Sequence, residues 1–309
     1  MAQPAFHGVI PALVTPFRAD ERLDCNAWGL IIESLIAAGV NGLFATGSQG
    51  EAYALDPEER LVTLRFCRQA VAGRVTLYGN VGCTTTAATI QLATQAEAMG
   101  IDALVVVTPY YVQPTQDELE GHFVEVCRAV RAPVLAYNFP PHGGVGLEPA
   151  TFGRIAARCE NLVGIKDSSG SLELAVKYKN AVPGREMAVF PGADHLMLPA
   201  LKRGLAGTVN ASANVAPKLY VDLYRAFREG RSDEAERLQS LATELGATVG
   251  LHTFPSMMKE AMTLAGLSAG PCRRPVGPVP PDARAKLTAV LHRLRAEDYL
   301  VQSARAKTA

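Results

Sequence analysis

Eight short runs of aliphatic and β-branched residues alternate with amphipathic stretches of helix length along most of the chain. A run that is apolar at nearly every position is typical of a strand buried on both faces, as in a parallel sheet covered by helices. The pattern predicts an α/β fold, a closed (β/α)8 TIM barrel, with an open doubly wound sheet as the alternative. The strand candidates begin near Gly8, Asn41, Arg74, Asp102, Pro133, Leu162, Met187 and Ala206.

The segments between the strand candidates carry helix start signals. Asp56–Glu59 combines an aspartate at the N-cap, a proline at the first helical position and acidic residues in the first turn. This predicts a helix from Asp56 to Ala72, and similar periodic stretches predict helices over 86–99 and 116–130.

Three further helical stretches follow the eighth strand candidate, over 233–249, 255–265 and 282–298. A Gly- and Pro-rich segment, residues 270–275, separates the last two. We interpret residues 1–230 as a catalytic barrel and residues 231–309 as a helical extension packed on it. The last residues, 302–309, are expected to fray.

Composition and charge exclude several partners. The chain has 30 basic and 30 acidic residues, so we expect neither nucleic acid nor a membrane as a partner. Residues 1–5 lack the basic and apolar segments of a signal peptide, so we expect a cytoplasmic protein. The six cysteines form no CxxC pair and are interpreted as reduced thiols. Neither they nor the six histidines have metal-site spacing.

Lys166 lies in an apolar run that begins at Leu162. A lysine is rarely buried without a partner, and desolvation in such a strand lowers its pKa. The neutral amine is a nucleophile that forms Schiff bases with carbonyl carbons. The alternative is a lysine whose stem covers apolar surface while its ammonium reaches solvent or pairs with Asp167.

Other strand ends supply matching chemistry. Tyr137 has a similar position on the preceding strand, where a barrel makes it a neighbour of Lys166 and a phenol can transfer protons as an imine forms. Its alternative role is a buried tyrosine with a satisfied hydroxyl. The Gly47–Gly50 turn can direct backbone N–H groups at a carboxylate, or be an ordinary βα turn. His142 and His195 are interpreted as surface or supporting residues.

Five motifs resemble those of the pyruvate-dependent class I aldolases, the superfamily of dihydrodipicolinate synthase and N-acetylneuraminate lyase. They are GSQGE at 47–51, TPYY at 108–111, YNFP at 137–140, GIKDSSG at 164–170 and SANVAP at 212–217. The resemblance covers nearly the whole chain, from GVIPALVTPF at 8–17 to GPCRRP at 270–275. Together the motifs are specific, although no single one is.

The resemblance implies a role for each strand-end residue. Lys166 would form the Schiff base with the keto carbon of pyruvate or another 2-oxo acid, and Tyr137 would donate and accept the proton. Ser48 and Tyr111 would complete a hydroxyl relay, with Tyr111 reaching into a neighbouring subunit's site. Ser48 and Gln49 would bind the 2-oxo acid carboxylate. Val209 would line the imine pocket.

The same resemblance implies a homotetramer built as a dimer of dimers, with no cofactor beyond the covalent imine through Lys166. Two departures bear on the second substrate. Dihydrodipicolinate synthases usually carry an arginine shortly after the YN-P motif, whereas residues 140–144 read PPHGG here. Ser48-Gln49 also stands where paired threonines are usual.

GSQGE and GPCRRP are more similar to the 4-hydroxy-2-oxoglutarate aldolases. We therefore predict a Schiff-base-forming lyase that acts on a 2-oxo acid and an aldehyde. Among such lyases, we expect the chain to be most like an aldolase of 4-hydroxy-2-oxoglutarate or of a 2-keto-3-deoxy sugar acid. His142 or a residue of the C-terminal extension can replace the missing charge.

Four other functions stay open. The first is a dihydrodipicolinate (4-hydroxy-tetrahydrodipicolinate) synthase that condenses pyruvate with aspartate semialdehyde. The second is a dehydratase or deaminase of the same superfamily, which would use the same enamine. The third is a non-catalytic barrel that binds a 2-oxo acid, against which the presence of Lys166, Tyr137 and Ser48 argues. The last is a metal-dependent class II aldolase, which has no visible ligand cluster in the sequence.

Overall fold

A computed structural model describes residues 6–301. The expectations for the N-terminal residues 1–5 and for a frayed end at 302–309 therefore lie outside the described residues. No helix within 6–301 is long and apolar enough to cross a membrane.

Parallel strands form the barrel wall, one for each of the eight apolar runs. They are β1 (Gly8–Pro11), β2 (Gly42–Ala45), β3 (Thr76–Asn80), β4 (Ala103–Val107), β5 (Val134–Asn138), β6 (Leu162–Asp167), β7 (Ala188–Pro191) and β8 (Gly207–Asn210). Strands β2 to β7 pair in sequence order, and β1 pairs with β8. Leu13 N donates to Phe44 O beside β2, and Ala206 N donates to Val189 O between β7 and β8. These bonds close the ring, so the predicted (β/α)8 barrel is confirmed.

Helices cover the outside of the ring and continue beyond it. Those in the barrel are α1 (Cys25–Ala37), α2 (Pro57–Val71), α3 (Thr86–Ala98), α4 (Gln116–Ala129), the single turn α5 (Pro140–Gly143), α6 (Pro149–Arg158), α7 (Leu172–Asn180), α8 (Met197–Lys202) and α9 (Pro217–Arg228). Those that follow are α10 (Ser232–Val249), α11 (Ser256–Ala265) and α12 (Pro281–Ala296).

The start of α2 has the predicted capping. The Asp56 side chain accepts a hydrogen bond from Glu59 N at 2.8 Å, and the Glu59 side chain accepts one from Asp56 N at 3.2 Å. This reciprocal box satisfies two backbone donors that the helix itself cannot bond. It fixes the point at which the chain turns from the loop after β2 into α2.

Two apolar layers flank the strands, because side chains along a barrel strand alternate between inside and outside. The larger layer lies between strands and helices. The inner layer fills the barrel; among its residues are Ile10, Phe44, Tyr78, Leu135, Tyr137, Phe190 and Val209. This packed interior closes the barrel below the site, so polar groups gather at the carboxyl ends of the strands.

The helical extension packs on the barrel near its last strands. Gln239 of α10 accepts a hydrogen bond from Leu198 N at 2.7 Å and donates to Asp194 O at 3.0 Å. Beyond α12, Val301 N donates to Val215 O at 2.8 Å. The division of the chain into 1–230 and 231–309 stays a prediction, although the three predicted helices of the extension are present.

Candidate active site

Lys166 lies near the carboxyl end of β6 and is only 6% exposed. Its Nζ lies 4.3 Å from the ring centroid of Tyr137 and 4.7 Å from that of Phe44. Burial among these rings lowers the pKa of Lys166 to about 7, because desolvation disfavours the ammonium form. A substantial fraction of the side chain is therefore a neutral, nucleophilic amine near neutral pH.

Asp167 is not the partner of Lys166. Its carboxylate instead accepts hydrogen bonds from Asn138 Nδ2 at 2.8 Å and from Ser169 Oγ at 2.7 Å. Within residues 6–301, no carboxylate forms an ion pair with Lys166. The alternative interpretation of Lys166, in which it pairs with Asp167, therefore does not describe this site.

Tyr137 is the register partner of Lys166 across the β5–β6 pair, as the strand positions predicted. Its hydroxyl lies 3.4 Å from Ser48 Oγ, and Ser168 lines the same cavity. Burial raises the pKa of Tyr137 to about 12. The phenol is therefore protonated at neutral pH and has hydroxyl neighbours through which a proton can pass.

The turn after β2 has unusual backbone geometry. Thr46, just before the turn, and Glu51, its last residue, have φ angles of 53° and 54°. A β-branched residue such as Thr46 rarely adopts this left-handed conformation. Asn80 Nδ2 donates to Thr46 O at 2.9 Å and supports it. Within the turn, a Cβ at Gly47 would lie 2.6 Å from the Phe44 ring, so only glycine fits there.

Gln49 is 3% exposed, and its Nε2 has no hydrogen-bond partner in the described part of the chain. A buried amide donor without a partner costs about 1–3 kcal/mol. The side chain lines the same cavity as Lys166. An oxygen atom of a bound carboxylate would satisfy this donor.

Five of the six predicted site residues line one cavity of about 230 Å³. They are Ser48, Gln49, Tyr137, Lys166 and Val209. Tyr111 is the exception, because it is 97% exposed and does not line its own chain's cavity. Its backbone is left-handed, with φ 76°. The predicted reach of Tyr111 into a neighbouring subunit stays a prediction.

An outer cavity of about 550 Å³ adjoins the first and shares Ser48, Phe139 and Phe254 with it. The His142 ring lies between Phe139 and Phe254, with centroid distances of 4.5 Å and 5.7 Å. Phe254 comes from the loop between α10 and α11. The helical extension therefore supplies part of the wall around the candidate site.

Further residues line the inner cavity that the sequence did not single out, among them Ser168 and Phe254. Ser168 had a visible signal, because it follows Lys166 within the GIKDSSG motif. Phe254 had none, since its position depends on how the extension folds back over the barrel. Among residues 6–301, no group of three or more His, Cys, Asp or Glu side chains is placed to hold a metal ion.

Known proteins are similar to this chain in sequence and in fold. The sequence model of the dihydrodipicolinate synthetase family matches residues 5–294. A 4-hydroxy-tetrahydrodipicolinate synthase of Methanopyrus kandleri is 34% identical, over 93% of this chain and 96% of its own. An uncharacterised DapA-like lyase of Halobacterium salinarum is 36% identical, over 92% of this chain and 93% of its own.

A solved structure gives the same picture. YagE, a prophage protein of the dihydrodipicolinic acid synthase family from E. coli K12 in complex with pyruvate, superposes with a TM-score of 0.91 at 34% identity. The match covers 94% of this chain and 99% of that one. The chain therefore belongs to the dihydrodipicolinate synthetase family and is a class I, Schiff-base-forming lyase.

Proposed function

We propose that this lyase cleaves or forms a carbon–carbon bond beside a 2-oxo acid held as an imine on Lys166. The observation that carries the proposal is the shared inner cavity, where a desolvated amine, a protonated phenol and the 47–51 turn meet. The pKa of about 7 makes Lys166 a competent nucleophile at neutral pH.

Imine formation assigns a task to each inner residue. The Lys166 amine adds to C2 of the 2-oxo acid, and Tyr137 protonates the carbonyl oxygen, which leaves as water. Ser48 lies next to the Tyr137 hydroxyl and passes the proton onward. The unpartnered amide of Gln49 and the backbone of the turn bind the carboxylate. Val209 packs against the imine carbon from β8.

Bond cleavage follows from the protonated imine. Tyr137, deprotonated after it has given up its proton, removes the proton from the 4-hydroxyl of a 4-hydroxy-2-oxo acid. The C3–C4 bond breaks, C4 becomes an aldehyde carbon, and the bonding electrons form an enamine that the imine nitrogen stabilises. Protonation at C3 and addition of water then release the 2-oxo acid and free Lys166. The reverse sequence joins the enamine to an aldehyde.

The outer cavity indicates the second substrate. No Lys, Arg, Asp or Glu of the described residues lines it. The hydroxyls of Tyr53, Tyr110 and Thr253 suit a hydroxylated aldehyde. We therefore favour cleavage of a 2-keto-3-deoxy sugar acid, with 4-hydroxy-2-oxoglutarate next, because its second carboxylate lacks a cationic partner here.

A second candidate function rests on the activity for which several relatives are named. The synthase of Methanopyrus kandleri is 34% identical, which favours condensation of pyruvate with aspartate semialdehyde. In that case the carboxylate of the semialdehyde needs a binding group. His142, packed between two aromatic rings, is the side chain that occupies the segment after YNFP.

Substrate choice separates the two candidates. We expect kcat/KM for cleavage of a 2-keto-3-deoxy sugar acid to exceed that for condensation with aspartate semialdehyde by about tenfold or more, since a missing charged hydrogen bond costs about 1.5–3 kcal/mol. Steady-state assays with purified protein and both substrates measure this ratio. The synthase assignment replaces ours if the condensation is the faster reaction.

A variant at His142 provides the matched control. His142→Arg restores a guanidinium beside the outer cavity, and we expect it to raise kcat/KM for aspartate semialdehyde by roughly tenfold. His142→Gln, which adds no charge, is expected to leave that value near wild type. Equal values for the two variants would mean that charge at this position does not select the aldehyde.

Imine formation is expected to depend on pH through Lys166. The reactive amine is the deprotonated form, so the rate should rise roughly tenfold per pH unit below about pH 7 and level off above it. Borohydride trapping of pyruvate at a series of pH values measures the rate. An exposed lysine titrates near pH 10.4. A rate still rising steeply at pH 9 would therefore show that Lys166 is not desolvated.

The assembly and cellular location are also proposals. A tyrosine that is 97% exposed at the rim of the site, as Tyr111 is, suits insertion into a second copy of the chain. We therefore propose a homotetramer built from such pairs. Light scattering of the purified chain gives its mass, and a monomer would contradict the proposal. All six cysteines are free, which favours the reducing cytoplasm.

A further inference from the structure

The Glu51 side chain is fully buried at the end of the 47–51 turn. Its Oε1 lies 2.5 Å from Nζ of Lys259 on α11, and Lys259 is itself 97% buried at the side chain. Its Oε2 accepts a hydrogen bond from Arg273 N at 3.0 Å. The carboxylate of the turn is therefore held entirely by the helical extension.

The groups that hold Glu51 are themselves fixed. Lys259 donates to Pro271 O at 2.8 Å, and its Nζ lies 4.2 Å from the Phe17 ring centroid. The Arg273 guanidinium binds the Glu59 carboxylate at 2.5 Å and donates to Ala54 O at 2.7 Å. The segment around 271–273 thus spans from α11 to the loop and helix that follow the turn.

The barrel contacts the turn at a few further points: Asn80 Nδ2 donates to Thr46 O just before the turn, and Ser48 Oγ lies 3.4 Å from the Tyr137 hydroxyl. The turn's internal bonds run from Glu51 N to Ser48 O and from Ala52 N to Gly47 O, and these leave its orientation free. Thr15 Oγ1 donates to Gly50 O at 2.6 Å from the side of β1. A buried ion pair adds little net stability compared with apolar residues of the same size. At this position the ion pair instead fixes the direction in which the 47–51 turn points.

We propose that Lys259 and Glu51 are a positioning pair, through which the helical extension orients the 47–51 turn to bind the 2-oxo acid carboxylate. The inference rests on the proposed function, since it assumes that Ser48 and Gln49 bind that carboxylate. Neither Lys259 nor Glu51 lines the cavity around Lys166. Their effect therefore reaches the substrate only through the turn.

Lys259→Met tests the pair. We expect it to raise the pyruvate concentration for half-maximal borohydride trapping by roughly tenfold to a hundredfold, because small misplacements of binding groups have effects of this size. The maximal amount of adduct should stay near one per chain. Leu287→Ala, which opens a cavity beside α12 and leaves the Glu51–Lys259 pair in place, is the matched control. It should lower Tm without changing the half-saturating pyruvate concentration.

A double variant tests the inference if Lys259→Met does not fold. Glu51→Gln with Lys259→Met removes both buried charges, so it should fold even if the single variant does not. It should still require more pyruvate, because the turn has lost its ionic anchor. Wild-type affinity for pyruvate in either folded variant overturns the inference. If the wild-type chain itself forms no adduct, the proposed function fails instead, and the two failures are distinct.

Discussion

Lys166→Ala is expected to acquire no mass when borohydride is added with pyruvate, whereas the wild-type chain gains one pyruvate-sized adduct. The amine of Lys166 is the desolvated nucleophile of the inner cavity. Alanine removes this amine and introduces no larger side chain on β6. Turnover should fall on the order of 10⁶-fold, the loss found when a covalent nucleophile is deleted from a protease. Intact mass and peptide mapping of the trapped protein measure both the adduct and its position.

Lys259 provides an internal comparison for this experiment. It is as deeply buried as Lys166, but its Nζ is paired with Glu51 and lies outside the cavity. Burial alone therefore does not make a lysine reactive in this chain, and mapping should find Lys259 unmodified. Lys177→Ala, a change at an exposed lysine, should trap pyruvate like the wild type. An adduct that persists in Lys166→Ala would refute the assignment.

Tyr137→Phe is expected to lower kcat by roughly 10²–10⁴-fold, the usual contribution of general acid–base catalysis. Only the hydroxyl is lost, so the ring can still stack on Phe139 at 5.6 Å between centroids. Binding of pyruvate should change little, because the phenol transfers protons and does not hold the carboxylate. Steady-state kinetics with the cleavable substrate measure kcat and KM separately.

Two measurements accompany this variant. Tm should stay close to that of the wild type, which shows that the barrel interior has kept its packing. Ser48→Ala should reduce kcat less than Tyr137→Phe, because its hydroxyl lies 3.4 Å from the phenol and acts one step later. Turnover of Tyr137→Phe within a few-fold of wild type would mean that the phenol has only a structural role.

The strands could be predicted because each is a local pattern. A parallel strand covered on both sides is apolar along most of its length, and most of the strands β1 to β8 have this signature. Lys166 and Tyr137 could be placed together because they occupy matching positions on consecutive strands. In a barrel, residues at matching positions on consecutive strands are neighbours, so a local pattern can predict a contact in three dimensions.

Other features depend on distant contacts that no local pattern encodes. Thr46 has a left-handed backbone, which β-branched residues disfavour. Asn80 on β3 stabilises this conformation by its hydrogen bond to Thr46 O. Phe254 reaches the site only because the extension folds over the barrel. The pairing of Glu51 with Lys259 joins two charged residues that, read separately, would both be taken for surface positions.

The wall of the outer cavity has two origins, which constrains how its selectivity can be redesigned. His142 belongs to the barrel loop after β5, whereas Phe254 belongs to the extension, and their rings pack against each other. A chimera that exchanges barrel loops alone would place a new loop against the old Phe254. Recombination within this enzyme is therefore expected to preserve selectivity only when the two segments are inherited together.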